Sequence, residues 1–549
     1  MATKKHKTPL TDAAIDSVIR KHLKKFAKPG VVSVRPGLRI SNGMLTKDPA
    51  IVATVRRKIA DLPPKEKLPP SVGGIPVDVR PLSSTEALRT VDPEGFAQEL
   101  LRVPRGNVPV ELQTPNFARE RNLKGELIGP KVDKAVARVR KRRPDGAVTK
   151  STYQKLTANQ LKPVSSAKVT CFASPDAGWP NLEPFLRSVN DKLTVGMFEF
   201  TAPHIVSAVT ATMKGKTLNL VLDDPDYDTT AREQTNDATQ AQLETAVGKG
   251  LNFAWAAEAA DKHNNIHLFP AAYHIKVAVA DSSVFFLSSG NFNTTNQPDF
   301  DPIDKPSAKD ANTASVSDRD WHVIIESPAL AATFENLILR DLKQALPGQQ
   351  AAAAPVLKGN GNSTGKHFPK FFAAKSFSGA MTIQPAVTPD NFGDIILPLI
   401  QSAKSRFWMQ TQYIKPSSKF VQDVANLPVA KRSILEKFLD ALRVLTSNGV
   451  DVRIIVDSRV TSSMIEQLQK TGGLDGTKIL RQAHVHNKGM IIDDHTVVIG
   501  SQNWSTEGVD TNRDASVVIR NPEMVTYWAG IFSSDWQSMT LPNEDPAIQ

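Results

Sequence analysis

The sequence predicts an α/β protein made of two repeated α/β/α lobes packed with pseudo-twofold symmetry, preceded by a small N-terminal α/β module. Three observations predict this. At 549 residues the chain is longer than a single hydrophobic core supports. Apolar strand-like runs alternate with helix-compatible stretches. From Val169 onward the order of those runs occurs twice.

The first element, Val31 to Pro81, reads as strand, strand, proline-rich loop, strand (VVSVRPGLRISNGMLT, AIVATVRRK, IPVDVRP), because its prolines exclude one long helix. It places the small module at residues 1–100. Residues 101–167 form a polar segment holding the basic run KVDKAVARVRKRR, Lys131 to Arg143, which reads either as a solvated helix or linker or as an arm for polyanions. The first lobe spans 168–346. A linker at 347–378, rich in Ala, Gly and Ser (PGQQAAAAPVLKGNGNSTGK), separates it from the second lobe at 379–549.

The lobes open alike, with VTCFASPDAGW at Val169 and MTIQPAVTPDNFGD at Met381, each followed by a helix-compatible stretch. An apolar strand ending in proline comes next, TVGMFEFTAP to Pro203 and FWMQTQYIKP to Pro416. A buried strand follows in each lobe, TLNLVLDD and VDVRIIVDSR. Then come YHIKVAVADSSVFFLSSGN and VHNKGMIIDDHTVVIGSQN, each read as an apolar strand through a polar motif. His274, Lys276, Asp281, Ser289 and Asn291 in the first sit at the offsets of His486, Lys488, Asp493, Ser501 and Asn503 in the second. One HxKxxxxD match would be weak evidence, but two extended through Ser and Asn are not coincidence.

Composition bounds the chemistry. The single cysteine, Cys171, excludes an intramolecular disulfide framework and a multi-cysteine zinc site. No run of 18 apolar residues occurs, and the Lys-rich start has no apolar region behind it, so no membrane span and no Sec signal are expected. A soluble chain, cytoplasmic or exported by another route, is the expectation, with the compartment otherwise open. A net charge of +11 favours anionic partners, with phospholipid head groups and nucleic acid both in view.

The paired motifs resemble the phospholipase D superfamily pattern HxKxxxxDxxxxxxGSxxN over about residues 168–535. The second copy fits fully, whereas the first has Ser288 in place of the usual Gly and Gly290 before its Asn. Downstream, NRDASVVI and DRDWHVII put Asp514 and Asp320 where the family usually has the acid that holds a motif histidine through its second ring nitrogen. In H-x-K on a strand, His and Lys point to one face, so both meet one substrate. Two facing sets supply an imidazole on each side of phosphorus, with Lys276, Lys488, Asn291 and Asn503 around the nonbridging oxygens, and require neither a cofactor nor a metal.

The resemblance implies a phosphodiesterase acting through a covalent phosphohistidine, with His274 as nucleophile and His486 as acid and base. Asp281, Asp493, Ser289 and Ser501 are then structural members of the motif. The expected partner is a phosphodiester, foremost a phospholipid at a membrane surface and alternatively nucleic acid. A monomer is expected, since both half-sites lie in one chain. Phe292 and Trp504, which follow the motif asparagines, and His263, His267 and His322 read as packing residues. His484, two residues before His486, invites a metal reading for which no further ligands present themselves.

Overall fold

The computed structural model describes residues 11–28, 30–41, 44–55, 62–81, 119–125, 127, 153, 155–223, 234–256, 269, 272–347, 368–416, 432–460 and 462–541. The basic run Lys131–Arg143, most of the Ala-rich linker, His263 and His267 lie outside them.

In chain order the elements are α1 (Asp12–Lys21), β1 (Val31–Ser41), β2 (Met44–Val55), β3 (Ser71–Val72), β4 (Ile75–Pro81), β5 (Val164–Ser174), α2 (Gly178–Arg187), β6 (Lys192–Met197), α3 (Pro203–Thr212), β7 (Thr217–Leu222), α4 (Asn236–Val247), β8 (Leu251–Trp255), β9 (Lys276–Ala280), β10 (Val284–Ser288), α5 (Ala308–Ala314) and β11 (Asp320–Glu326). They continue with α6 (Pro328–Gln344), β12 (Leu346–Pro347), β13 (Lys375–Thr388), α7 (Phe392–Gln401), β14 (Arg406–Thr411), β15 (Ile414–Lys415), α8 (Ile434–Ser447), β16 (Asp451–Asp457), α9 (Ser462–Gly472), β17 (Ile479–Gln482), β18 (Lys488–Ile492), β19 (Thr496–Gly500), β20 (Trp504–Ser505), β21 (Asp514–Arg520), α10 (Pro522–Ser534) and β22 (Thr540–Leu541).

The chain divides into two compact units, one made chiefly of residues 1–145 and one of 146–458 with 467–541. The smaller holds a four-stranded sheet in the order β1-β2-β4-β3. The Thr11 side chain caps α1 by accepting the Ala14 N–H, and Ile15 and Ile19 bury with Val34 and Ile51. Arg121, which the sequence places in the basic linker, instead exchanges backbone hydrogen bonds with Val34 at 2.9 and 3.0 Å and pairs with Asp16 at 2.8 Å. The module therefore draws on residues beyond 100.

The larger unit holds a sheet of sixteen strands in the order β12-β8-β7-β6-β9-β10-β11-β5-β13-β21-β19-β18-β14-β16-β17-β22. Read outward from the centre, the two halves follow the same chain order, so the duplication seen in the sequence is a duplication of topology. The central strands β5 and β13 run antiparallel. Within β13, Lys375 to Ala380 pair with β5, while Thr382 to Thr388 pair with β21. One apolar core passes through this seam, joining Val169, Cys171, Trp321 and Val323 of the first lobe to Ile383, Val497, Val517 and Trp528 of the second. Trp321 and Trp528 stack at 4.5 Å, and Gly489 leaves the space, since a Cβ there would lie 2.2 Å from the Trp321 ring.

One expectation changes in detail. VAVADSSVFFL and GMIIDDHTVVI are not single strands but hairpins, β9–β10 and β18–β19. The turns lie at Asp281 (φ 50°) and Asp493 (φ 52°), in the left-handed region that Asp tolerates. Each carboxylate accepts three consecutive backbone N–H groups, from Asn190, Asp191 and Lys192 in one lobe and from Lys404, Ser405 and Arg406 in the other. Against the upward pull of partial burial, these donors hold both carboxyls below their usual range.

Candidate active site

His274 lies two residues before Lys276, the first residue of β9, and His486 two before Lys488, the first of β18, so each histidine sits at the mouth of a buried strand. Both histidines are nearly buried, at 7% and 9% exposure, and the two lysines are more so.

The two lobes complete each other in a crossed pattern. His274 Nδ1 meets Asp514 Oδ1 of the second lobe at 2.7 Å, and His486 Nδ1 meets Asp320 Oδ1 of the first at 3.1 Å. Each carboxylate is itself steadied by the serine of its own lobe. Ser501 Oγ donates to Asp514 at 2.6 Å and accepts the Ala515 N–H at 3.1 Å; Ser289 Oγ donates to Asp320 at 2.6 Å and accepts the Trp321 N–H at 3.0 Å. The crossing follows from sheet order: β11 and β21 flank the two central strands, so an acid at the start of either projects toward the other lobe's motif.

Lys276 Nζ donates to the His274 carbonyl at 2.6 Å. Lys488 Nζ donates to the His486 carbonyl and lies 3.1 Å from His486 Nδ1. Lys488 Nζ also reaches the Ser289 carbonyl of the first lobe at 3.5 Å. Burial and then the Lys276 ammonium press His274 below the ordinary imidazole range, despite Asp514. Burial and then Lys488 hold His486 well below it. Burial also lowers Lys276 from its usual 10.5 to about 7 and raises Asp320.

Asn291 Nδ2 donates to Glu199 at 3.1 Å, and Asn293 Nδ2 to the same oxygen at 2.7 Å. The Oδ1 atoms of Asn291 and Asn503 are buried without a protein partner among the described residues. An unpaired buried acceptor costs about 1–3 kcal/mol.

The departures in the first motif have physical reasons. A Cβ at Gly290 would lie 2.7 Å from Asp320 Oδ2, so glycine there makes room for the carboxylate. Ser288 bonds His322 Nδ1 at 2.7 Å, and Ser174 bonds its Nε2 at 2.8 Å. His322 stacks on Phe286, and burial lowers it to about 4, so it is a neutral, fully engaged core residue. Phe292 and Trp504 are fully buried packing residues. His484 lies on a turn at φ 57°, its carbonyl accepting the Arg319 N–H, and among the described residues no cluster of three His, Cys, Asp or Glu is arranged to hold a metal.

The crossing, Glu199 and the environment of the arginines before Asp320 and Asp514 were not read from the sequence. The repeated Arg-Asp dipeptide was the available signal.

Residues 396–536 match the family described as cardiolipin synthase, PLD-like domain. The chain is 28% identical over 110 residues to the mitochondrial cardiolipin hydrolase of Danio rerio, covering 20% of this chain and 46% of that protein. It is 28% identical over 100 residues to the mouse protein, covering 18% and 45%. The chain thus spans less than half the length of these curated relatives. Among solved structures, the phosphatidylserine synthase of Haemophilus influenzae Rd KW20 superposes with a TM-score of 0.46 at 13% identity, covering 71% of this chain and 88% of that one. The phospholipase D family member Nuc of Salmonella typhimurium gives 0.24 at 20% identity, covering 30% and 97%. Residues 396–536, which hold the second HxKxxxxD motif, are thus similar to a PLD-like domain, and the first lobe carries the same motif within the same sheet.

Proposed function

We propose that this protein cleaves a phosphodiester through a covalent phosphohistidine on His274, with a glycerophospholipid head group as substrate. The crossed His–Asp pairing carries the reading, because it engages Nδ1 of each imidazole and leaves Nε2 for phosphorus or for a proton. His274 Nδ1 faces the Asp514 carboxylate, an acceptor, so its proton resides on Nδ1 and Nε2 keeps a lone pair for attack. His486 Nδ1 faces the Asp320 carboxylate, so as an imidazolium it donates Nδ1–H there and holds the acidic proton on Nε2, and once that proton is given it is the neutral Nδ1–H form whose Nε2 takes one back.

In the first step His274 Nε2 forms the P–N bond while the P–O bond to the leaving alkoxide breaks, and His486 Nε2–H protonates that alkoxide. In the second, water attacks phosphorus and gives its proton to His486, and the P–N bond breaks. An alcohol in place of water would give transfer instead of hydrolysis. Lys276, Lys488, Asn291 and Asn503 stabilise the nonbridging oxygens.

The family description and the relatives' names, both referring to cardiolipin, favour a lipid substrate. The net charge of +11 keeps nucleic acid as the second reading, on the same residues. Phosphatidylcholine and cardiolipin vesicles, offered beside plasmid and single-stranded DNA, test the choice. Head-group release without nicking is expected, and nicking without lipid turnover would transfer the assignment to nucleic acid. His274→Ala and His486→Ala should each lose on the order of 10³-fold or more in kcat. Wild-type rates in both would overturn the mechanism.

A further inference from the structure

Each carboxylate that crosses to the opposite histidine is preceded by a wholly buried arginine, and the two arginines have matching surroundings. Arg513 grips Asp341 with Nε and Nη2 at 2.9 and 3.0 Å, while its Nη1 donates to Asp390 at 2.7 Å and to the Thr388 carbonyl at 2.8 Å. Arg319 grips Asp535 with Nε and Nη2 at 2.9 and 3.0 Å, while its Nη1 donates to Asp176 at 2.6 Å and to the Ser174 carbonyl at 3.0 Å. Asp341 lies in the last turn of α6 of the first lobe and Asp535 follows α10 of the second, so each guanidinium binds one acid from either side of the seam. Aromatic rings close both sites, with Tyr153 and Phe269 at 4.5 and 4.3 Å from Arg513 and Phe368 at 4.5 Å from Arg319.

The backbones of the same arginines also cross. The Arg319 carbonyl accepts the His486 and Asn487 N–H groups at 3.2 and 2.9 Å, and the Arg513 N–H donates to the Ala272 carbonyl at 2.9 Å, two residues before His274. One residue therefore fixes the opposite lobe through its side chain and the chain beside the opposite histidine through its peptide. It also fixes the origin of the side chain that holds that histidine.

We propose that Arg513 and Arg319 are positioning residues, Arg513 for His274 and Arg319 for His486. Their effect on turnover rests on the phosphodiesterase reading, but their effect on the imidazoles does not. A bidentate guanidinium fork cannot be replaced by an ammonium without loss of geometry, and a misplacement of about 1 Å costs on the order of 10²-fold in rate.

The test uses the full chain and two measurements on Arg513→Lys and Arg319→Lys. The first is the rate of diethyl pyrocarbonate acylation of His274 and His486, followed separately by peptide mass mapping. Arg513→Lys should change the His274 rate at least threefold and leave His486 within twofold, and Arg319→Lys should do the reverse. The second is turnover of a chromogenic phosphodiester, where kcat should fall about 10- to 100-fold with KM within about threefold. Asp341→Asn and Asp535→Asn weaken each clamp without emptying it and carry the same crossed expectation should a lysine variant fail to fold. Equal changes at both histidines, or none, would reduce the arginines to general packing and overturn the proposal. A crossed acylation pattern in a protein that turns over no phosphodiester would instead uphold the positioning and discard the proposed function.

Discussion

At the scale of single residues, the site is a set of titratable groups whose environments oppose their ordinary behaviour. Asp514→Asn keeps the shape beside His274 but replaces an acceptor with an amide that can present N–H to Nδ1, favouring the wrong tautomer. A loss of about 10²- to 10⁴-fold in kcat with intact folding is expected, read by steady-state kinetics and circular dichroism. Lys276, lowered to about 7, gives up its proton from neutral pH upward, so KM for an anionic substrate should rise between pH 7 and 9, and Lys276→Arg should flatten that rise. The linkage has a definite sign. Between about 7 and the usual 10.5 the unfolded chain binds the extra proton, so this lysine's contribution to stability grows with pH in the window where substrate binding weakens. The side chains of the candidate site were legible as a repeated pattern. Their pairing was not, because Asp320 and Asp514 lie closer in sequence to the histidine of their own lobe than to the one they hold, and only strand order reveals the exchange.

At the scale of elements, the strands announced themselves as apolar runs, but the hairpin turns inside both motifs did not, since Asp281 and Asp493 carry no glycine beside them to mark a left-handed turn. The lobes also differ where their strands face inward. Gly500 has no room for a side chain, because a Cβ would lie 1.7 Å from Ser516 Oγ and 2.5 Å from the Ala515 carbonyl, whereas the equivalent Ser288 has His322 to meet. Gly500→Ser should therefore destabilise the fold by about 1–3 kcal/mol or more, measured as a lowered denaturant midpoint, and changing Ser516 as well should recover only part of it, because the Ala515 carbonyl stays in the way.

At the scale of the whole molecule, the seam is apolar core and also carries the strands of the candidate site. Gly489→Ala would drive a methyl into the Trp321 ring across it, and the expected result is a lower Tm together with a fall in kcat, since the same strands carry Lys488 and Asp320. A fall in Tm with kcat untouched would separate the two roles. Sequence periodicity carried the existence of two lobes but not their fusion into one sheet, because the edges of β5 and β13 look like any other strand until they are paired. The palindromic sheet has a consequence for ancestry. A chain with one such lobe would expose a bare strand edge and a histidine lacking its acid, and both deficits vanish when two copies meet about a twofold axis. Joining the copies in one polypeptide frees each half to mutate alone. Ser288 with His322 on one side, facing Gly500 with Ser516 on the other, records a divergence that identical subunits could not have expressed.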